Sequence, residues 1–317
     1  MKNQMLNWRL LIISCVCALW YVSGGIALAE DAPPFTAQRQ IKRLETALYG
    51  KNQTGNWNER LNRIELDLLG RETGLKVADR SDMLVRFLFK GTETAPSMEM
   101  KLGFLEWKLF HETRQGTVAD RIAAIAKQAK IKSSSEPLVF RLEQLVQAIV
   151  DNGYLTLHKV KLPAGSSVRV RLSRDVSSNQ AREGDLVPVS VVRDTFIDDN
   201  VLVVAKGGIA LGEVEKVRRS GRFGRSGNLA FAIRELHGLD GSSIPVVLKD
   251  SAFGPDQRKP IGMAVGASAL GYLALGPVGL AGGVFVKGKE MVLPQGLELV
   301  MSTTEDVWVV GIVVNRR

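Results

Sequence analysis

The segment RLNRIELDLLG, residues 60–70, decides the fold of the first half of the chain because its pattern recurs along the sequence. Related stretches begin at residues 44, 64, 84, 105 and 125, which gives spacings of 20, 20, 21 and 20 residues. The copy at residue 84 is weaker, and the one at 125 is a trace. Arginines stand ten residues after Gly50 and its equivalents, at Arg60, Arg80 and Arg121. A fixed period of this length indicates stacked structural units.

Each repeat is predicted to form one amphipathic helix. Leu61, Ile64 and Leu68 fall on one helical stripe, and Asn56 with Glu59 three residues later forms a capping box. Glycines such as Gly50 are typical of helix ends. One helix of about three turns cannot bury its stripe alone, so neighbouring helices must stack. We therefore predict a helical repeat region over residues 41–152, with its last helix at 136–151.

The repeat has the form Arg-Leu-x-x-Leu-Glu-x-x-Leu-Tyr/Phe-Gly. Over residues 41–130 it resembles repeats found in exported proteins of diderm Firmicutes and of cyanobacteria. The resemblance implies a packing and spacing element rather than an activity. The arginines and glutamates are then expected to be solvated, or paired between repeats, rather than catalytic.

From residue 155 the period changes from helical to strand-like. Residues 155–162 and 168–172 alternate between apolar and polar side chains, and turn sequences such as Asp198-Asp199-Asn200 separate many further short runs. This pattern predicts an antiparallel β sandwich or small barrel over residues 155–317. Because 317 residues suit two domains, we expect a two-domain α+β protein.

Turn motifs of the second half are similar to a β-domain common in bacterial envelope proteins. They have a more general likeness to the β-domain of the outer-membrane pore subunit of type IV secretion systems. The matching segments are 162–168, 175–178, 184–187, 205–208 and 212–214. The resemblance implies a fold, and it does not carry over the secretion role because residues 218–227 depart from that subunit.

The N-terminus has the pattern of an export signal. Lys2 and Arg9 precede an uncharged run over residues 10–29, which ends in a small-x-small cleavage site, Ala27-Leu28-Ala29. We expect a signal peptide at 1–29 and a linker at 30–40. A retained membrane anchor and lipidation at Cys15 are the alternatives. The only cysteines, Cys15 and Cys17, lie in this segment, so the mature chain is expected to form no disulfides.

Charge and motifs narrow the functional classes. The chain carries +9, and removal of Lys2 and Arg9 leaves +7, which suits anionic wall polymer or lipid and is too diffuse to indicate nucleic acid. No nucleophile elbow, phosphate-binding loop or zinc-ligand motif occurs, and the three histidines are far apart in the sequence. We therefore expect no enzyme activity, no catalytic residues, no cofactor and no metal site.

One cluster suggests anion binding. Arg218, Arg219, Arg222 and Arg225 stand in a glycine-rich turn, where guanidinium groups and backbone N–H groups could approach phosphate or carboxylate. The alternative is a flexible, solvated hairpin tip.

An uncharged, glycine-rich stretch covers residues 261–286. It is too long and apolar for an ordinary loop, and Pro277 favours a helical hairpin over one straight span. We predict that it contacts a membrane or a partner's apolar surface. The alternative is that it packs on the β-domain. The side chains expected to make the contact are Ile261, Val265, Leu270, Tyr272, Leu273, Leu275, Val278, Leu280 and Phe285.

Together these patterns indicate an exported protein of the periplasm or outer membrane, acting as a scaffold or tether with a membrane-interacting insertion. The alternatives are a binding module for an anionic wall or lipid ligand and a subunit of a secretion or export complex. Membrane or envelope components are the expected partners, and a homo-oligomer stays open.

Overall fold

A computed structural model describes residues 34–132, 134–221, 225–249 and 290–314. The predicted signal peptide and the apolar stretch 261–286 lie outside these residues. Helices extend from Pro34 to Ile149 and strands from Leu157 to Val313. The described chain therefore has the predicted α+β organisation, with helices first and antiparallel strands after them.

Six α-helices form the described N-terminal part, and each predicted repeat contributes one of them. Asn56 Oδ1 accepts a hydrogen bond from Glu59 N at 2.9 Å, which confirms the predicted cap. Gly70 ends its helix with φ of 78°, a left-handed conformation in which glycine carries no steric penalty. The helices are α1 (Pro34–Tyr49), α2 (Trp57–Leu69), α3 (Val77–Val85), α4 (Met98–Phe110), α5 (Val118–Gln128) and α6 (Leu138–Ile149).

Two predicted helix boundaries are wrong. The stretch 30–40 is not all linker, because α1 begins at Pro34 and buries Ala37 and Ile41 in the helical core. Proline suits the first helical position, because a backbone N–H group there would have no acceptor within the helix. The last helix begins at Leu138 rather than at residue 136, since Pro137 takes the extended backbone (ψ 152°) of an N-cap residue.

The third repeat contains the main irregularity of the helical region. After α3 the chain forms a π-helical turn, Arg86–Lys90. A π turn accommodates one extra residue within a helix, and this repeat is the one followed by a 21-residue spacing. The extra residue in the sequence therefore has a local structural explanation.

Thirteen strands form the described β part. A four-stranded sheet has the order β1-β13-β6-β5, a seven-stranded sheet has the order β8-β7-β4-β2-β12-β10-β9, and β3 pairs with β11. The strands are β1 (Leu157–Leu162), β2 (Ser167–Leu172), β3 (Val176–Ser177), β4 (Leu186–Val191), β5 (Thr195–Ile197), β6 (Val201–Val204), β7 (Ile209–Arg218), β8 (Asn228–Ile233), β9 (Glu235–His237), β10 (Ser243–Leu248), β11 (Val292–Leu293), β12 (Glu298–Thr303) and β13 (Val307–Val313).

The larger sheet curls into a nearly closed barrel. Only Arg234 separates β8 from β9, so one bent strand pairs with β7 at one side of the sheet and with β10 at the other. Val246 N donates to Arg234 O at 2.9 Å where the two sides meet. Inward-facing side chains such as Val170, Val189 and Leu299 are fully buried, as expected for a small barrel whose interior is filled.

The helical region packs directly on one end of the barrel. Thr113 N donates to Lys206 O at 2.7 Å, and Trp107 Nε1 donates to Asp194 Oδ2 at 2.9 Å. Leu202 and Ile312 of the strands belong to the same buried cluster as the helix core. Shared apolar burial and directional hydrogen bonds thus fix how the two parts sit together.

Candidate functional site

Strand direction places several predicted functional segments at one end of the barrel. Strands β2, β7 and β10 run the same way, because β4 lies antiparallel between β2 and β7, and β12 lies antiparallel between β2 and β10. The turns after β2 and β7 therefore face one end, and β10 runs toward that end until Lys249, whose N–H donates to Val300 O within β12. We call the described residues 173–186, 216–221, 225–228 and 290–297 the distal end.

The helical region lies at the opposite end of the barrel. Its contacts are with the turns around Asp194, Lys206 and Leu239, which precede or follow the strands at their other ends. The barrel thus separates the helical repeats from the distal end.

Hydrogen bonds join the segments of the distal end. Ser178 N donates to Met291 O at 2.8 Å, and Met291 N donates to Ser178 Oγ at 3.1 Å. Asn179 Oδ1 accepts from Ser220 N at 3.0 Å. The point where the chain returns from residues 250–289 is therefore tied, through residues 178 and 179, to the arginine-rich turn between β7 and β8.

The arginine-rich turn presents its described arginines to solvent. Arg218 is the last residue of β7 and lies opposite Asn228. Arg218, Arg219 and Arg225 are exposed, and within the described residues none of them forms an ion pair. Arg222, the fourth predicted anion-binding residue, lies outside the described residues. Within the described residues, these three guanidinium groups are therefore exposed and without an ion pair.

The strand order adds arginines that the sequence did not single out. Arg174 follows β2 and Arg182 precedes β4, and both are exposed at the distal end. Arg174 Nη2 donates to Leu186 O at 3.1 Å. They are more than thirty residues from Arg218 in sequence, so only the pairing of β2, β4 and β7 brings them to the same end. The sequence held one signal for this: arginines occur at or just after the ends of β2 and β7, two strands that run in the same direction.

Carboxylates at the distal end are used to hold its turns. Asp175 Oδ1 accepts from Gln295 N at 2.6 Å, and Asp185 Oδ2 accepts from Arg182 N at 2.8 Å. Glu183 Oε1 accepts from Val217 N at 3.3 Å. A carboxylate bonded to backbone N–H groups fixes the turn, and within the described residues none of these three forms an ion pair with an arginine of this end.

Two large apolar side chains are exposed at this same end. Leu186 is 56% exposed and Val292 is 46% exposed. The predicted membrane-contacting side chains from Ile261 to Phe285 lie outside the described residues, whereas Lys249 and Glu290 on either side of that segment are described. No helix within the described ranges is long and apolar enough to span a membrane.

The charged repeat residues of the helical region are buried and paired between repeats. Arg60 bonds Glu45 through Nε and Nη2 at 2.7 and 2.6 Å. Arg80 bonds Glu65 at 3.1 and 2.8 Å, and Arg121 bonds Glu106 at 2.8 and 2.9 Å, with the same atoms. Of the two alternatives open in the sequence, pairing between repeats is the one observed.

Each of these glutamates also holds the loop that follows its helix. The backbone N–H groups of Gln53, Thr73 and Arg114, each eight residues beyond the glutamate, donate to it at 3.1, 3.1 and 3.0 Å. Hydrogen bonds from Arg60 to Glu45 raise the arginine pKa. Burial disfavours the charged form of Arg121, but bonds to Glu106 and Glu99 outweigh it and its pKa is also raised. These charges therefore serve helix packing.

The three histidines do not converge on a metal site. His111 takes a left-handed conformation (φ 59°) at the end of α4, and His158 and His237 are exposed on strands. In the part of the chain that the structure describes, no group of three His, Cys, Asp or Glu residues is arranged to hold a metal ion.

Comparison with protein-family models found no match for this chain, and comparison with curated proteins found none either. The resemblances of the repeats and of the β-domain motifs therefore stay predictions from the sequence.

Proposed function

We propose that the protein is a non-enzymatic scaffold or tether of the cell envelope, whose distal end contacts a membrane. The observation that carries this proposal is the strand order. It brings Glu290 and Met291, where the chain returns after residues 250–289, and the arginine-rich turn to the end of the barrel that faces away from the helical repeats.

Rigid attachment of the helical region supports a spacing role. Gly207 lies so close to the helical region that a Cβ atom there would stand 2.3 Å from Thr113 O. Such close backbone contact, together with the shared core, leaves the helices at a fixed position relative to the distal end. A tether requires this kind of defined separation between two contact surfaces.

Export is the second part of the proposal. The charged start, the apolar run and the Ala27-Leu28-Ala29 motif support cleavage before Glu30, which delivers the mature chain to the periplasmic side of the envelope. N-terminal sequencing of the protein purified from cells checks this. A chain that keeps Met1, or carries a lipid on Cys15, contradicts it.

Deletion of Gly262–Phe285, with a short Gly/Ser turn in its place, tests the membrane contact. We expect the shortened protein to keep its circular dichroism spectrum, to fractionate without detergent and to lose binding to uncharged phosphatidylcholine vesicles. The expectation follows because about 20 apolar residues can insert into a bilayer. A misfolded variant, or an intact mature protein that is already soluble and monomeric, would assign the segment to the β-domain core instead.

A further inference from the structure

Exposed arginines from three separate turns lie at the distal end. We call the set of Arg174, Arg182, Arg218, Arg219 and Arg225 the arginine face. We propose that the arginine face binds the phosphate groups of an anionic lipid surface. This inference rests on the proposed function, because it assigns recognition of the negative charge of the membrane to the end of the barrel that is proposed to contact the membrane.

The turns that carry the arginine face are connected to one another. Arg174 is bonded to the backbone at Leu186, the first residue of β4. The turn containing Arg182 lies against β7, because Gly184 N donates to Val214 O at 2.8 Å. Residues 178–185 also contact the arginine-rich turn through Asn179 and Ser220. Fixed turns hold the bases of these side chains in place before a ligand binds, which lowers the entropic cost of binding.

The nearby acids leave the arginine face available. Asp175, Glu183 and Asp185 bond to backbone N–H groups of the turns. Within the described residues, the ion pairs nearest this end join Glu298 to Arg169 and Glu215 to Arg234, and neither includes an arginine of the face. Guanidinium groups with vacant donors in such a setting suit phosphate oxygens, which accept paired hydrogen bonds.

The neighbouring apolar side chains favour a lipid surface over a soluble anion. Leu186 and Val292 are about half exposed at the same end as the arginines. A surface that combines basic side chains with exposed apolar ones binds at the boundary between headgroups and acyl chains. A dissolved phosphate would use the arginines and leave Leu186 and Val292 in water.

The test compares vesicle binding by the mature chain, which begins at Glu30, and by three paired variants of it. The vesicles contain phosphatidylcholine alone, or phosphatidylcholine mixed with phosphatidylglycerol. One variant carries Arg174→Gln and Arg182→Gln, and a second carries Arg218→Gln and Arg219→Gln. The control carries Lys51→Gln and Arg71→Gln, which remove the same charge from exposed positions in the helical region.

We expect each distal pair to weaken binding to the mixed vesicles roughly thirtyfold, which corresponds to about 1 kcal/mol for each basic side chain near an anionic surface. The control should bind like the unchanged protein, and added salt should reduce binding by screening. Binding to phosphatidylcholine alone should be the same for all four proteins, because it depends on the apolar segment.

Unchanged binding of the Arg174/Arg182 variant to mixed vesicles, with a native circular dichroism spectrum, overturns the inference. If that variant does not fold, the Arg218/Arg219 variant decides in the same way. Displacement of the protein from vesicles by inorganic phosphate at low concentration overturns the assignment to lipid. If the unchanged protein binds mixed vesicles but not neutral ones, the arginine face is supported and the insertion of the apolar segment is wrong.

Discussion

Replacement of Glu65 by alanine is expected to destabilise the protein by about 3–5 kcal/mol, the cost of leaving a buried charge without its partner. Glu65 is fully buried, and it accepts hydrogen bonds from the guanidinium of Arg80 and from Thr73 N and Oγ1, at 2.6 to 3.1 Å. Removal of the Glu65 carboxylate leaves the guanidinium of Arg80, a residue that is only 5% exposed, without its charge partner. Since domains are stable by only about 5–15 kcal/mol, this is a large fraction of the total.

The double variant Glu65→Val with Arg80→Met should recover most of this loss. An apolar pair of similar volume avoids the desolvation of two charges and is often neutral relative to a buried ion pair. We expect a residual cost of about 1 kcal/mol, from the lost bonds of Thr73.

Urea unfolding followed by far-ultraviolet circular dichroism measures these differences. Glu93→Ala is the matched control, because it breaks the exposed pair Glu93–Lys159, whose side chains are 62% and 46% exposed. Exposed pairs contribute about 0–1 kcal/mol. If Glu65→Ala costs no more than this control, the buried pairs do not fix the repeat packing. If the double variant is as unstable as the single one, the loss does not come from the unpaired charge of Arg80.

Two further substitutions and one titration are expected to give measurable results. Gly212→Ala should destabilise the barrel, because a Cβ atom there would stand 2.0 Å from the Phe231 ring; a melting temperature equal to that of the unchanged protein would contradict this. Asp194→Ala should cost about 1–3 kcal/mol by leaving Trp107 Nε1 and Lys206 N without their acceptor, and an unchanged urea midpoint would speak against that role. The pKa of Asp306 should lie below the ordinary range of an aspartate, because its carboxylate accepts a hydrogen bond from the Ala164 N–H and pairs with Lys161. Ionised Asp306 then stabilises the folded protein at pH values above the pKa that this residue has in the unfolded chain. The stabilisation is lost as pH falls through the lower pKa of the folded state. An NMR titration that places the pKa of the Asp306 carboxyl at or above the ordinary value of an aspartate would refute this prediction.

Local patterns predicted the elements of the fold well. The stripe around Ile64, the cap at Asn56 and the stop at Gly70 each depend on neighbouring residues, and all three are observed. The constant separation of fifteen residues between glutamate and arginine was also present in the sequence, although nothing local showed that the pairs would be buried.

Features that depend on distant pairing could not be predicted in this way. The closure of the barrel at Arg234 follows from which strands become neighbours, and alternation alone fits a sandwich equally well. The same holds for Arg174 and Arg182, whose place beside the arginine-rich turn is set by the order β7-β4-β2.

Closure of the barrel also determines how copies of this chain could associate. Because β8 and β9 are one bent strand, the larger sheet has almost no free edge to which another chain could add a strand. In the smaller sheet the edge strand β5 has only three residues, and β1 exposes His158, Lys159 and Lys161. Short or charged edges discourage strand addition. Within the residues that the structure describes, the fold therefore offers little free edge for edge-to-edge aggregation, and self-association of this part would use side-chain surfaces.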